Sequence, residues 1–219
     1  MPSFPCSAIL FDLDGVLLDS TRVVARQYTI WANEHGLDPA QVLKASHGVR
    51  TIEVIRRFAP HLDAEAETRK IEAREVAATD VTAMPGALEL LGSIPEGRWC
   101  VVTSGGRHLA TTRMRRFGVP IPKILVTADD VKHGKPDPEP YRKGAELLKV
   151  NPVECVVVED APAGIRAAHA AGMKVISLPT TYPVSELHEA DAIVSGLPKI
   201  KVSMDDASSR TPLLLTLPE

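Results

Sequence analysis

The sequence predicts a doubly wound, Rossmann-like α/β fold with a mostly parallel sheet and an all-helical cap inserted after the first strand. Three observations lead to this fold class. Short apolar runs recur along the chain, helical periodicity returns between most of them, and one stretch of roughly 65 residues has helices but no strand. Strands that alternate with helices are typical of a parallel sheet covered by helices on both faces.

The predicted strands are short runs that are apolar or β-branched on both faces. Such runs are typical of strands buried in the middle of an α/β sheet, because neither face meets solvent. They cover residues 8–11, 99–102, 124–126, 155–158, 174–177 and 192–194.

The helices predicted between these strands have recognisable ends. Gly118 and Gly172 each follow a helical stretch at the position where glycine commonly ends a helix. In Asp137-Pro138-Glu139, a capping acid precedes proline at the first helical position. These helices cover residues 86–92, 107–117, 138–149 and 162–171.

The stretch without strands is predicted to be a separate helical cap, with helices at residues 20–35, 51–59 and 63–79. It follows directly after the first strand, at the carboxyl end where open α/β sheets bind ligands. We therefore expect an α/β core domain of residues 1–16 and 83–219, and a cap domain of residues 17–82 that acts as a mobile lid.

The composition argues against several classes of partner. The formal net charge is −3 and aromatic residues make up 4%, so we expect neither a nucleic acid nor a membrane as partner. Cys6, Cys100 and Cys155 are widely spaced and are expected to be reduced core residues. The chain lacks the basic start of a signal peptide and the ~20 apolar residues of a membrane span. We expect a cytoplasmic protein that is a monomer or a weak homodimer.

The C-terminal tail, residues 203–219, does not fit the alternating pattern. Residues 205–210 are predicted to form a loop. Leu213-Leu214-Leu215 must be covered, either by the chain's own surface or by a dimer contact.

Acidic residues follow two of the predicted strands. Asp12 and Asp14 come after the first strand, and their i, i+2 spacing directs both carboxylates to one side. Alone, this pair fits a solvated turn equally well. Glu159 and Asp160 follow another apolar run, so four acids are expected at the same sheet edge. Such a cluster predicts a site for a hard cation such as Mg²⁺.

Two further segments suit a phosphate group. Thr103, Ser104 and Gly105 follow the second strand and precede a helix, where hydroxyl and backbone N–H groups can bind an anion. Lys135 lies between glycine and proline just before another helix, and its ammonium group could balance charge in a carboxylate-rich phosphate site.

Together these motifs resemble the haloacid dehalogenase superfamily of hydrolases with a helical cap. The matching stretches are Asp12-Leu13-Asp14-Gly15, Thr103-Ser104, Gly134-Lys135-Pro136-Asp137-Pro138 and Glu159-Asp160-Ala161-Pro162-Ala163-Gly164. Their order and spacing match the superfamily over residues 8 to about 200, nearly the whole chain.

The resemblance implies roles for the two aspartates and for a magnesium ion. Asp12 would be the nucleophile that forms an aspartyl-phosphate. Asp14 would protonate the leaving oxygen and then activate water. Mg²⁺ would be held by Asp12, the backbone carbonyl of Asp14 and Asp160, with Glu159 as a ligand or as support for the ligands.

The resemblance also implies which residues hold the phosphoryl group. Thr103 or its neighbour Ser104, Lys135 and the backbone of residues 13–15 would contact its oxygens. Gly105 lies in the same loop, and Gly15 would let the backbone leave the strand sharply.

Asp14 favours phosphoryl transfer over dehalogenation, because a halide leaving group needs no proton. A phosphonatase would need a lysine in the cap that forms a Schiff base. Lys44 lies in the cap but is better interpreted as a solvated helix lysine.

The expected reaction is Mg²⁺-dependent hydrolysis of a small sugar or polyol phosphate. The loop from Ser104 to Arg107 and the cap stretch from His47 to Thr51 resemble 2-deoxyglucose-6-phosphatase and glycerol-3-phosphatase. In such an enzyme, Arg50 and His47 could contact substrate hydroxyls, and Arg107 could assist or only cap a helix.

Three alternatives stay open. Arg50 also resembles the cap arginine with which β-phosphoglucomutase binds a distal phosphate. A phosphoglycolate phosphatase could use Arg50 for a carboxylate. A non-catalytic binding module is a remote alternative, because Asp12, Asp14, Lys135 and Asp160 are all present.

Overall fold

The computed structural model describes residues 2–204 and 212–217. Its centre is a parallel six-stranded sheet with the strand order β6-β5-β2-β7-β8-β9. The fold class is the predicted one. The strands are β2 (Ala8–Phe11), β5 (Trp99–Val102), β6 (Leu125–Val126), β7 (Cys155–Glu159), β8 (Lys174–Ser177) and β9 (Ala192–Ile193).

Four helices accompany this sheet: α5 (Ala87–Gly92), α6 (Arg107–Arg116), α7 (Glu139–Leu148) and α8 (Pro162–Ala170). Two separate hydrophobic clusters cover its faces, as expected for strands that are apolar on both sides. Leu10 packs in one cluster, while its neighbours Ile9 and Phe11 pack in the other. Helix α7 begins at Glu139 with Pro138, not Asp137, at the N-cap position, one residue later than predicted. Asp137 accepts a hydrogen bond from the Glu139 N–H at 2.8 Å in the turn before the helix.

Four helices form the segment between Asp19 and Thr82: α1 (Thr21–Glu34), α2 (Pro39–Ser46), α3 (Thr51–Phe58) and α4 (Ala64–Ala77). We call this segment the cap. It has its own buried cluster around Trp31, Ile55 and Ile71. Helix α2 was not expected, because its eight residues bury only Val42 and Ser46 and so show little periodicity.

The expectation of no strand in residues 17–82 was wrong at the two crossings between cap and core. Strand β3 (Leu18–Asp19) pairs antiparallel with β4 (Thr82–Ala83). The Met84 N–H extends the pair by donating to the Leu17 carbonyl at 2.9 Å. Two-residue strands are too short to show a period, so the pattern could not reveal them.

The ends of the described chain form a small antiparallel sheet that the sequence did not predict. Strand β11 (Leu213–Thr216) lies between β1 (Ser3–Cys6) and β10 (Lys201–Met204). Leu213 and Leu215 are fully buried there. The leucine run therefore packs on the chain's own surface, whereas the predicted loop at 205–210 lies outside the described residues.

Cys6, Cys100 and Cys155 are buried free thiols, as expected. Among the described residues, none of the helices has the length and apolar character needed to cross a membrane.

Candidate active site

The candidate site lies at the carboxyl end of β2, between β5 and β7. Phe11 pairs with Val101 on one side and with Val158 on the other, so the next residue, Asp12, lies beside Val102 and Glu159. Strands β5 and β7 lie on opposite sides of β2 in the sheet, so the order of the strands reverses direction at β2. Ligands of open α/β sheets bind at such a switch point.

Lys135 reaches this position from the loop before α7. Its Nζ donates to Asp12 Oδ1 and to Glu159 Oε1, both at 2.7 Å, and to the Val102 carbonyl at 3.2 Å. The side chain is 1% exposed. Burial by itself would lower the pKa of Lys135, but the two carboxylates outweigh it and leave the pKa raised. Lys135 is therefore a fixed positive charge beside Asp12.

Glu159 has hydrogen bonds on both carboxylate oxygens. Oε1 accepts from Lys135 and from the Tyr141 hydroxyl at 2.8 Å, and Oε2 accepts from the N–H groups of Asp160 and Ala161 at 2.9 and 3.0 Å. This arrangement favours Glu159 as the residue that orients Lys135 and the start of α8.

The buried acids suit a hard cation. Oxygen atoms of Asp12, Glu159 and Asp160 lie within 4.8 Å of one another. Three carboxylates against one ammonium leave a formal charge of −2. Burial first, and then the neighbouring carboxylates, raise the pKa of Asp12 to about 7 and that of Asp160 well above its usual value. A divalent cation with oxygen ligands would relieve this repulsion, so the residues fit Mg²⁺.

Asp14 lines the same cavity but is not one of these three clustered acids. Its Oδ1 accepts hydrogen bonds from Ser20 at 2.5 Å and from Arg113 Nη1 at 2.7 Å. Gly15, the next residue, has a φ of +82°, and a Cβ there would lie 2.0 Å from Asp160 Oδ2. Glycine is required at this turn both for its backbone conformation and for the close approach of Asp160.

Arg113 joins Asp14 to the cap. This arginine of α6 is 2% exposed and also donates from Nη2 to Glu75 of α4 at 3.2 Å. Burial is the main cause that raises the pKa of Glu75 to about 7. Neither residue was predicted from the sequence, because each lies in a charged helical stretch that looks solvent-exposed.

The predicted phosphate loop contacts the cap. The Ser104 hydroxyl donates to the Gly48 carbonyl at 2.8 Å, and the Gly106 N–H donates to Glu72 at 2.8 Å. Thr103 is buried, and its hydroxyl accepts from the Gly105 N–H at 3.1 Å. The cap therefore lies directly on the loop expected to hold the phosphoryl group.

The residues predicted near the substrate lie at different distances from the cavity. His47 lines it; its Nδ1 lies 3.1 Å from the Leu43 carbonyl, and burial lowers its pKa, which favours the neutral ring. Arg50 contacts the loop before Lys135 and does not line the cavity. Arg107 pairs with Asp130 at 2.6 Å, also away from the cavity. Lys44 is exposed on α2, as expected.

The cavity between core and cap is small. The centre of a water-sized sphere can occupy about 60 Å³ of it, room for only a few waters. The cap in this position therefore leaves little room beside Asp12. Its core wall includes Asp12, Asp14, Thr103, Ser104 and Asp160, and its cap wall includes Tyr28, Ser46, His47, Thr51 and Glu75.

Known proteins resemble the chain over most of its length. A family model described as haloacid dehalogenase-like hydrolase matches residues 9–178. Hexitol phosphatase A of Escherichia coli is 42% identical over 90% of this chain and 94% of its own length. 2-Deoxyglucose-6-phosphate phosphatase 1 of Saccharomyces cerevisiae is 36% identical over 92% of each chain. The crystal structure of a hydrolase from Pseudomonas syringae superposes with a TM-score of 0.78, at 28% identity, covering 87% of this chain and 93% of the other.

Proposed function

The chain belongs to the haloacid dehalogenase-like hydrolases and is a phosphoric monoester hydrolase, and we propose that it hydrolyses a small sugar or polyol phosphate with Mg²⁺ through an aspartyl-phosphate. The observation that carries the proposal is the buried contact of Lys135 with Asp12 at a sheet edge that also holds Asp160. This arrangement combines a nucleophile, a fixed cation and a site for a metal ion.

Asp12 attacks phosphorus through a carboxylate oxygen, and the bond between phosphorus and the ester oxygen breaks. Asp14 gives its proton to the departing alkoxide and then takes one from the water that attacks the aspartyl-phosphate. Inorganic phosphate leaves, and Asp12 is restored. For these steps Asp14 must turn from Arg113 toward the cavity that it already lines.

Lys135 lowers the barrier by holding positive charge where the phosphoryl oxygens approach Asp12. Asp12, Asp160 and the backbone carbonyl of Asp14 would hold Mg²⁺, with Glu159 behind Lys135. When bound, the metal screens the repulsion between the phosphate dianion and the attacking carboxylate. Thr103, Ser104 and Gly105 complete the phosphate site.

The cap wall supports a neutral, hydroxyl-rich leaving group. Among the described residues that line the cavity, no lysine or arginine is present, whereas Tyr28, Thr51 and Ser46 supply hydroxyl groups. Glu75 adds a carboxylate on the same wall. A second phosphate, as in β-phosphoglucomutase, or the carboxylate of phosphoglycolate would find no lysine or arginine among these lining residues to pair with. The wall therefore favours a sugar or polyol monophosphate.

A pair of substrates that differ at one end tests this proposal. Glucitol 6-phosphate ends in a neutral CH₂OH group, and 6-phosphogluconate carries a carboxylate at that position. Phosphate release should be Mg²⁺-dependent, with kcat/KM at least about tenfold higher for glucitol 6-phosphate, because a carboxylate desolvated in the cavity without a cationic partner costs about 1.4 kcal/mol or more.

The same assay should include phosphoglycolate and β-glucose 1-phosphate. A preference for phosphoglycolate or 6-phosphogluconate would contradict the substrate proposal. Conversion of β-glucose 1-phosphate to glucose 6-phosphate without phosphate release would replace the phosphatase by a mutase. Absence of any turnover with metal bound would favour a binding module.

We further propose a cytoplasmic location, which the three buried free thiols support. The expectation of a monomer or weak homodimer, without nucleic-acid or membrane partners, stays a prediction.

A further inference from the structure

Two cap residues, Arg50 and Glu53, contact the backbone immediately before Lys135. Arg50 Nη1 donates to the Val131 carbonyl at 2.9 Å, and Nη2 donates to the Lys132 carbonyl at 2.6 Å. Glu53 Oε1 accepts from the Gly134 N–H at 3.0 Å. We call Arg50 and Glu53 the cap latch.

The cap latch is electrically balanced and preorganised. Arg50 Nε and Nη2 also donate to Glu53 Oε1, at 3.0 and 2.5 Å. Arg50 is 8% exposed, so its guanidinium is nearly withdrawn from water. Charge-assisted bonds in such an environment are about twice as strong as neutral ones. The latch can therefore fix the loop without leaving a buried charge unpaired.

The core holds the same loop from its other side. Glu139 accepts the N–H groups of Lys132 and His133, both at 2.8 Å. These N–H groups are thus bound within the core, whereas the carbonyls of Val131 and Lys132 are bound by Arg50. Only the closed cap gives the loop its full set of backbone bonds.

Gly134 fits this contact closely. A Cβ at this position would lie 2.8 Å from both Cγ and Nε of Arg50, and 2.8 Å from Glu53 Oε2. The absence of a side chain lets the latch lie flat on the backbone one residue before Lys135.

We propose that Arg50 and Glu53 are positioning residues that set Lys135 against Asp12 when the cap closes. The inference rests on the proposed function, because it assigns Lys135 to that reaction. The cap must open to admit substrate, and opening separates Arg50 and Glu53 from the loop. Closure then couples the presence of substrate to the final placement of the Lys135 ammonium. Arg50 acts through the loop and does not touch the substrate.

The test compares Arg50→Gln, Arg50→Lys and Glu53→Gln with a control on the same helix. Arg56 of α3 pairs with Glu65 at 3.1 Å, and both are more than half exposed, so Arg56→Gln removes an equivalent ion pair away from the loop. Phosphate release is measured with glucitol 6-phosphate, glycerol phosphate and p-nitrophenyl phosphate. These esters share the phosphoryl group and differ in the leaving group.

We expect Arg50→Gln to lower kcat about 10- to 100-fold, by the same factor for all three esters. KM should change little, because the interaction that is lost is made only in the transition state. Arg50→Lys should recover part of the rate, because lysine can donate to a loop carbonyl. Arg56→Gln should stay within about twofold of the wild type, as expected for an exposed pair.

Amide hydrogen exchange gives a readout independent of turnover. The Gly134 N–H should exchange at least about tenfold faster in Glu53→Gln than in Arg56→Gln, because its acceptor is weakened. An unchanged exchange rate would refute the latch. A loss of rate that differs widely between the esters would instead make Arg50 a substrate contact and overturn the inference. A wild type that releases no phosphate from any ester would refute the proposed function, and with it the role assigned to the latch.

Discussion

Replacing Lys135 by methionine tests the buried charge cluster at its centre. The change keeps an unbranched side chain that is one atom shorter, and removes the ammonium that Asp12 and Glu159 share at 2.7 Å each. Both carboxylates would then be buried without their cation. Breaking a buried ion pair from one side costs about 3–5 kcal/mol.

For a chain of this size, such a loss corresponds to a fall in the thermal midpoint of about 6–20 °C. The measurement is thermal unfolding followed by circular dichroism at pH 7 in EDTA, which removes metal ions from the site. A matched control is Lys174→Met. Lys174 Nζ lies 2.6 Å from Asp191 Oδ1, but its side chain is 65% exposed. That exposed pair should contribute at most about 1 kcal/mol.

The double variant Lys135→Met, Asp12→Asn separates charge from packing. Removing the Asp12 charge as well should return at least about 1 kcal/mol of the free energy of unfolding, because one of the two unpaired carboxylates is gone. If Lys135→Met lowers the midpoint no more than Lys174→Met does, the account of a tightly coupled buried cluster is wrong.

Two further predictions concern the turn and the cap. Gly15→Ala should raise the Mg²⁺ concentration for half-maximal activity about tenfold or more, because the added Cβ displaces Asp160. Gly118→Ala is the control. Gly118 has a similar positive φ but no atom within 4 Å of an added Cβ, so this change should cost only about 1–2 kcal/mol of stability. Equal metal dependence in the two variants would contradict this reasoning. The pKa of Glu75 is raised from 4.5 to about 7, mainly by burial, so the folded state keeps a proton that the unfolded state releases between these values. The difference in the free energy of unfolding between the wild type and Glu75→Gln should therefore fall as the pH rises from about 4.5 to 7, by up to about 1.4 kcal/mol per pH unit. Denaturant titrations at several pH values measure this difference, and a difference that does not change with pH would refute the raised pKa.

The sequence predicted those features that depend on strand ends meeting at one edge of a sheet. Asp12 and Asp160 follow apolar runs, so their convergence followed from the parallel fold. Lys135 was predicted from its rigid surroundings and from the family resemblance, and the structure brings its Nζ to Asp12.

Features that depend on side-chain direction across two elements could not be predicted. Arg113 and Glu75 lie in stretches rich in charged residues, where a buried arginine looks like an exposed one. Arg50 was predicted as a residue that could contact substrate; in the structure its guanidinium donates to backbone carbonyls about 80 residues later, a contact that no local pattern indicates. Short antiparallel strands such as β3 and β4 depend on pairing between distant segments and leave no period in the sequence.

The most direct test of the central claim is phosphate release from glucitol 6-phosphate by the wild type and by Asp12→Asn, each with Mg²⁺ and with EDTA. The account predicts release only by the wild type with Mg²⁺, while circular dichroism shows both proteins folded. Near-normal release by Asp12→Asn, or release by the wild type in EDTA, would contradict it.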